Sequence, residues 1–306
     1  MKKNMQELLS KNEEKISKNS DSILNITEEE IASTIKELGT KKTERIIVDE
    51  IKEKLNTEYI GKEIYCFQEV DSTNTVSKFL AEFGTDEGTV IIAETQTKGK
   101  GSRGKKWESP VGGIWLSIVL RPDISPSKAS LITLAAGVGV ANVLRDLGVD
   151  ARIKWPNDVL INNKKVSGIL TEANAKFSTV DYVIVGIGID SNLNIDTLPS
   201  KIQPGTTSLK EELKEDIDES QIIANFLVEF EKIYNKFKKE EFDDILYDWR
   251  KMSQTIGSYV EIQQPLGKKL KGYAVGINRK GALILEKDNG NLIKVISGEC
   301  IIKEDK

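Results

Sequence analysis

The stretch Arg152–Ile189 constrains the fold most. It reads as four strands, Arg152–Trp155, Asp158–Ile161, Lys165–Glu172 and Val180–Ile189, joined by tight turns of which Asn162–Asn163 is the clearest. Strands joined this closely run antiparallel, because a parallel neighbour needs a crossover of a dozen residues or more. Upstream, Ile64–Val70 and Thr89–Glu94 read as strands flanking a helix at Ser72–Phe83, and the apolar run Ile114–Leu120 precedes a long helix at Ser127–Leu147. The implied architecture is α+β, a mixed or antiparallel β-sheet backed by helices. Two closing helices follow, Ser220–Lys239 and Phe242–Met252, the first introduced by Asp218 with Gln221 three residues on. After Met252 the pattern becomes short alternating strands at Tyr259–Ile262, Lys269–Ile277, Ala282–Glu286 and Leu292–Val295, with glycines at the breaks, as in a small β-barrel.

Before Ile60 the chain is rich in Lys, Glu, Asn and Ser. Thr27 with Glu30 makes a capping box ahead of Ile31, Ile35 and Leu38, and Ile47, Ile51 and Leu55 share one face of a second helical piece. The expected organisation is a helical, partly flexible extension over residues 1–59, a main domain over 60–253 and a C-terminal domain over 254–306. At 306 residues and 39% hydrophobic content the chain can bury a core. Neither a secretory pattern nor an apolar run of membrane-spanning length, roughly 18 residues, stands out, so the expectation is a soluble, cytoplasmic protein with no membrane partner.

Composition also narrows the chemistry. The sequence has no histidine, and Cys66 and Cys300 lack metal-type spacing. Histidine-based triads, Cys-His pairs and histidine-bound zinc are therefore excluded, and no protein-held metal is expected. Catalysis must rest on lysine, arginine, carboxylates, amides and backbone N–H groups. A net charge of −4 gives no global attraction to nucleic acid.

Gly99-Lys-Gly-Ser-Arg-Gly104 matches G-x-G-x-x-G, but the third glycine leads into Lys105, Lys106 and Trp107 and then Pro110, which is loop chemistry rather than a helix start. A Walker loop fails too, because Gly101 follows Lys100. What remains is a basic loop able to surround a phosphate, or a solvated surface loop. Lys154-Trp-Pro-Asn-Asp158 sets a cation, an aromatic ring and two oxygen-bearing side chains around a proline; read plainly it is also a strand corner with a buried tryptophan. If Asn162–Asn163 is a hairpin turn, Lys165 returns beside Asp158, next to the opened backbone at Gly168, forming a candidate anion-binding centre. In Val185-Gly-Ile-Gly-Ile-Asp-Ser-Asn192 the glycines either admit a ligand or mark a strand bend.

Taken in order, Asp71-Ser-Thr-Asn74, Gln96, Gly99–Trp107, Lys154–Asp158, Lys165–Leu170 and Gly186–Asn192 resemble the biotin protein ligase family, from about Ile60 to the C terminus. The resemblance implies a class II synthetase-like catalytic domain followed by a small SH3-like domain. It implies ATP-dependent formation of biotinyl-5′-AMP and transfer of biotin to a lysine of a biotin carboxyl carrier domain, with Mg2+ carried by the nucleotide. By the same resemblance, Lys165 and Asp158 are the catalytic pair. Ser72, Thr73, Asn74, Gln96, Lys100, Gly101, Ser102, Lys165 and Gly168 would contact biotin, and Gly99, Arg103, Lys105, Trp107, Asn157 and Asp190 the nucleotide. Three positions depart from the family: its usual Gly-Arg-Gly-Arg is Gly99-Lys-Gly-Ser102 here, with Lys100 and Ser102 in place of the arginines, and its usual asparagine is Asp190. Arg103 or Lys105 would have to replace the missing arginine grip on phosphate. Residues 1–59 show no clear winged helix-turn-helix, so DNA binding is not expected, while a homodimer stays open. The rival readings are a lipoate or octanoate ligase and a biotin-sensing transcriptional regulator.

Overall fold

The computed structural model describes Thr43, residues 45–264 and residues 267–303; the expected helical piece at Thr27–Leu38 lies outside them. Helix α1 (Val48–Lys54) has Asp49 and Glu50 in its first turn and Lys52 and Lys54 in its last, the order its dipole favours. Ile51, within it, and Ile46, just before it, are buried, and the helix packs on α5 (Glu219–Lys238).

β1 (Ile64–Val70), α2 (Thr73–Glu82) and β2 (Val90–Gln96) form a parallel unit, with β1 paired to β2. β3 (Ile114–Leu120) runs antiparallel to β2 on one side and to β7 (Thr179–Ile189) on the other. After α3 (Ala129–Asp146), the strands β4 (Arg152–Lys154), β5 (Asp158–Ile161), β6 (Lys164–Lys176) and β7 fold back on one another. The seven-stranded order is β1-β2-β3-β7-β6-β5-β4, and only the β1–β2 pair is parallel, so the sheet is mixed. Asn162 and Asn163 both take positive φ, 51° and 63°, as a two-residue hairpin turn requires, with Ile161 opposite Lys164. β6 runs to Lys176 rather than ending at Glu172 as expected. A bulge between Asn174 and Ala175 disturbs the alternation there and hides the continuation.

Helices α3, α5 and α6 (Phe242–Lys251) pack together. Asp218 caps α5 by accepting the Gln221 N–H at 3.0 Å. Phe226, Phe230, Tyr234 and Phe237 then stack along one face of α5 at centroid spacings of 5.5, 6.0 and 5.8 Å. Pro126–Asp146 is long and apolar enough to cross a membrane by length and composition, yet 67% of that window is buried within the protein, as in a core helix. A short helix, α4 (Leu209–Leu213), capped by Ser208, was not expected.

The C-terminal strands β8 (Tyr259–Gln263), β9 (Lys269–Ile277), β10 (Leu283–Glu286), β11 (Leu292–Val295) and β12 (Glu299–Ile302) form an antiparallel sheet in the order β11-β10-β9-β8-β12, the small SH3-like unit. Trp155 joins it to the main body. The buried indole donates to Gly281 O at 3.1 Å, and the Trp155 backbone N–H donates to Thr255 Oγ1 at 2.9 Å.

Candidate active site

The Lys154–Asp158 corner and the Asn162–Asn163 turn act together. With Gly168 opposite Asp158 across the β5–β6 ladder, Lys165 Nζ sits 2.5 Å from Asp158 Oδ1 and Lys154 Nζ 2.9 Å from Oδ2. Burial alone would raise the Asp158 carboxyl; the two lysines outweigh it and hold the group below the ordinary carboxylate range. Asp158 thereby fixes Lys165, whose ammonium faces a cavity of about 220 Å³ and lies 4.7 Å from the centroid of the Trp107 ring. Asn157 ties the turn to β6, donating from Nδ2 to Ile169 O at 2.9 Å.

The glycines of β6 and β7 make room for this arrangement. A Cβ on Gly168 would come within 2.8 Å of the Trp107 ring, and one on Gly188 within 2.6 Å of Trp107 Nε1. One on Gly186 would collide with Asn74 Oδ1. They are close-approach positions rather than a strand bend.

One end of the cavity is a hydrogen-bonded ring. The Thr73 N–H donates to Gln96 Oε1 at 2.8 Å, and Gln96 Nε2 donates to Ser109 Oγ at 2.8 Å. Asn74 Nδ2 donates to Glu172 Oε2 at 2.7 Å. Ser117 Oγ lies 2.7 Å from both Thr73 Oγ1 and Asn74 Oδ1. Ser72, buried at the N-terminus of α2, makes no capping bond and lines the cavity wall. Ser109, Ser117 and Glu172 were not anticipated. Ser117 carried a signal, as the one polar residue of the buried run Ile114–Leu120.

At the other end stand Trp107 and Asp190. Trp107 Nε1 is buried with no hydrogen-bond partner among the described residues. Asp190 is 4% exposed, and burial pushes its carboxyl well above the ordinary range, with Lys165 pulling the other way. Leu198, Ile202 and Thr206 close this end, where Thr206 bridges to Lys165; nothing in the sequence pattern had marked them.

The glycine-rich loop is a narrow ribbon. Trp107 N bonds to Gly99 O at 2.9 Å and Gly101 N to Lys105 O at 2.7 Å, and a Cβ on Gly99 would strike Trp107 O. Lys100, Gly101, Ser102 and Lys105 line the cavity; Gly99 and Arg103 do not. Arg103 turns away, donating to Gln263 O at 2.8 Å and to Glu299 Oε2 at 2.6 Å, while Lys105 reaches Glu299 Oε1 at 2.6 Å. The hydrogen bond from Lys105, aided by Arg103, holds the Glu299 carboxyl below its ordinary range. Both cations expected to replace the missing arginine are thus held by the C-terminal sheet, whereas Lys100 forms no ion pair among the described residues.

Residues 66–190 match the model of the Biotin/lipoate A/B protein ligase family, and residues 255–303 match that of the Biotin protein ligase C terminal domain. The chain is 37% identical to the Bifunctional ligase/repressor BirA of Bacillus spizizenii over 82% of its own length and 77% of that protein's. It is 32% identical to a Biotin--[acetyl-CoA-carboxylase] ligase of Mycobacterium tuberculosis, over 75% of this chain and 85% of that one. Among solved structures it resembles the biotin protein ligase from Aquifex aeolicus in complex with biotin and ATP, with a TM-score of 0.69, 30% identity, and coverage of 80% of this chain and all of that one. With the fold, the motif order and these likenesses in agreement, the chain belongs to the biotin protein ligase family.

Proposed function

We propose that this protein joins biotin to a lysine of a biotin carboxyl carrier domain in two steps at one site. The carrying observation is Lys165, fixed by Asp158, facing a cavity with a polar ring at one end and an aromatic and acidic end at the other. Ser72, Thr73, Asn74 and Gln96 take the ureido ring of biotin, whose carboxylate then points toward Lys165. That carboxylate attacks the α-phosphorus of ATP: a C–O–P bond forms, the bond to pyrophosphate breaks, and Lys165 stabilises the charge that develops. The neutral amine of the acceptor lysine next attacks the acyl carbon, forming the amide, releasing AMP and losing a proton. Asp158 orients the reacting groups. Trp107, Asn157 and Asp190 hold the nucleotide, and Lys100, Gly101 and Ser102 cover the phosphate.

Among the described residues no group of three or more acidic side chains could cage a metal ion. Magnesium would instead ride on the nucleotide phosphates, where it would offset the charge of the leaving pyrophosphate. The proposed division is an extension over residues 1–59, a catalytic domain over 60–253 and a C-terminal domain over 254–306, with the matched spans 66–190 and 255–303 inside the last two. The expected setting is the cytoplasm.

Mixing the protein with ATP, magnesium, a carrier domain and either biotin, lipoate or octanoate tests the proposal. Pyrophosphate release and carrier labelling with biotin alone are expected; labelling with lipoate or octanoate in its place would refute it. A repressor role is a second reading, favoured by the bifunctional name of the Bacillus relative. A DNA gel shift that appears only with biotinyl-AMP would establish it.

A further inference from the structure

Along the cavity face of β7 the side chains recur every second residue, at Gly186, Gly188 and Asp190. The first two carry none, because Asn74 and Trp107 occupy the space. Asp190, one residue past the end of β7, is therefore the first side chain after the two glycines in that alternation. Its backbone is fixed on both sides, with its N–H on Val166 O at 2.8 Å and its carbonyl accepting from Leu209 N at 2.9 Å. Its carboxyl is more than nine-tenths buried, lines the cavity and makes no hydrogen bond or ion pair among the described residues.

The charged group that faces it is Lys165 on β6, and that ammonium is already 2.5 Å from Asp158, with Lys154 on the far oxygen. Lys210, just beyond the Leu209 contact, pairs with Asp216 at 2.7 Å. The turn contributes Asn157 and the covering segment Thr206, both uncharged; the loop contributes Trp107 together with Lys100, with Lys105, which pairs with Glu299, and with Lys106, which pairs with Glu108. An ionised Asp190 would thus stand in the cavity wall with no ion-pair partner of its own among the described residues, and would compete with the nucleotide phosphate for Lys165.

We propose that Asp190 binds the nucleotide as a neutral carboxylic acid, its O–H donated to an acceptor of the base or ribose and its carbonyl accepting a donor in return. This rests on assigning that end of the cavity to the nucleotide. A protonated carboxyl offers one donor and one acceptor, as the family's asparagine amide does; an ionised one offers acceptors only. Nucleotide capture then carries a linked proton, and biotin capture at the opposite end does not. The raised carboxyl agrees in sign: as pH rises through its folded value the group ionises and the donor is lost.

The test is isothermal titration of the full chain with ATP and magnesium in the absence of biotin, and with biotin alone, from about pH 6 to about pH 9. For the wild type, ATP binding is expected to weaken with rising pH, approaching about tenfold per pH unit above the carboxyl's pKa. Asp190→Asn should be flat relative to it and bind ATP more tightly at the alkaline end, while biotin affinity is the same in both. A wild-type profile no steeper than that of Asp190→Asn, or one that tightens with pH, overturns the proposal and leaves the ligase reading standing. Absence of ATP binding by both proteins at every pH overturns the nucleotide assignment itself. If the variant does not fold, titrating the wild type in buffers of different ionisation enthalpy decides: proton uptake on ATP binding at alkaline pH is expected, and none refutes it.

Discussion

At the end of the cavity assigned to biotin, Asn74 donates to Glu172 and Leu170 O and sits 2.7 Å from the Ser117 hydroxyl, and Gln96 is held between Thr73 and Ser109. At the end assigned to the nucleotide, Trp107 Nε1 is buried without a hydrogen-bond partner among the described residues, and the buried residue Asp190 turns its carboxyl to the cavity. Buried polar groups are nearly always paired, and an unpaired one costs about 1–3 kcal/mol. The first end is therefore held in place largely by its own hydrogen bonds, and the second far less so. Lys165 sits between them, and its replacement should break both at once. Lys165→Ala should lower adenylate formation by more than about a hundredfold, the scale of losing one preorganised stabiliser of developing charge. It removes no core volume, and Lys154 still pairs with Asp158, so thermal unfolding should fall only modestly, by the loss of one of the two cations on that carboxylate. Pyrophosphate release at a near-normal rate would show that the two ends do not meet at this lysine.

The phosphate between the two ends is where the loop departs from the family. With Arg103 and Lys105 clasped by Glu299 and Lys106 paired with Glu108, Lys100 is the cavity-lining loop cation with no ion pair among the described residues. A missing charge-assisted contact is worth roughly 1.5–3 kcal/mol, so the intermediate should escape about ten- to a hundredfold faster than it would from a loop with arginine at position 102. Ser102→Arg should accordingly slow release of biotinyl-AMP by about that factor and reduce labelling of a bystander protein that lacks an acceptor domain. Equal release rates would mean that Lys100 alone already closes the site.

Ser117→Ala probes the first end. It removes the buried hydroxyl from Asn74 Oδ1 and Thr73 Oγ1, at about 1–3 kcal/mol, while Thr73 keeps Gln96 and Asn74 keeps Glu172. The KM for biotin should rise several-fold while the KM for ATP stays within about twofold. An equal rise in both would show that the ring supports the whole cavity rather than one end.

Much of this was legible because the informative contacts are local. The Asn162–Asn163 turn, the Asp218 cap and the return of Lys165 to Asp158 depend on residues within a few positions of one another, so spacing exposes them. The contacts of Ser117 lie 43 and 44 residues away, and those of Lys105 and Arg103 with Glu299 span 194 and 196. No local pattern announces such a pair. β12 escaped for a related reason: four residues, Glu299–Ile302, at the end of the chain become a strand by pairing with β8 from Tyr259–Gln263. Trp155 shows the opposite case, in which the plain reading of a buried corner tryptophan is right for that residue while its neighbours Asn157 and Asp158 build the site.

The smallest effect should come from the clasp that joins the loop to the C-terminal sheet. Glu299 is partly exposed, with 39% of its side chain open to solvent, so solvent screening holds the pair to no more than about 1 kcal/mol. Its carboxyl lies below its ordinary range because Lys105 and Arg103 favour the ionised form. The stabilisation is therefore present above the unfolded carboxylate pKa of about 4.3 and is lost as pH falls through the lowered folded value. Near neutral pH, Glu299→Gln should leave adenylate formation within about twofold and speed biotinyl-AMP release by no more than about fivefold. Raising salt from about 0.05 M to about 1 M should shrink the difference between the two proteins, since screening weakens the wild-type pair and leaves a neutral glutamine unaffected. Freed from Glu299, Arg103 and Lys105 could instead swing to the phosphate. Slower release in Glu299→Gln would mean that they do, and that the C-terminal sheet withholds cations from the site instead of holding the loop shut.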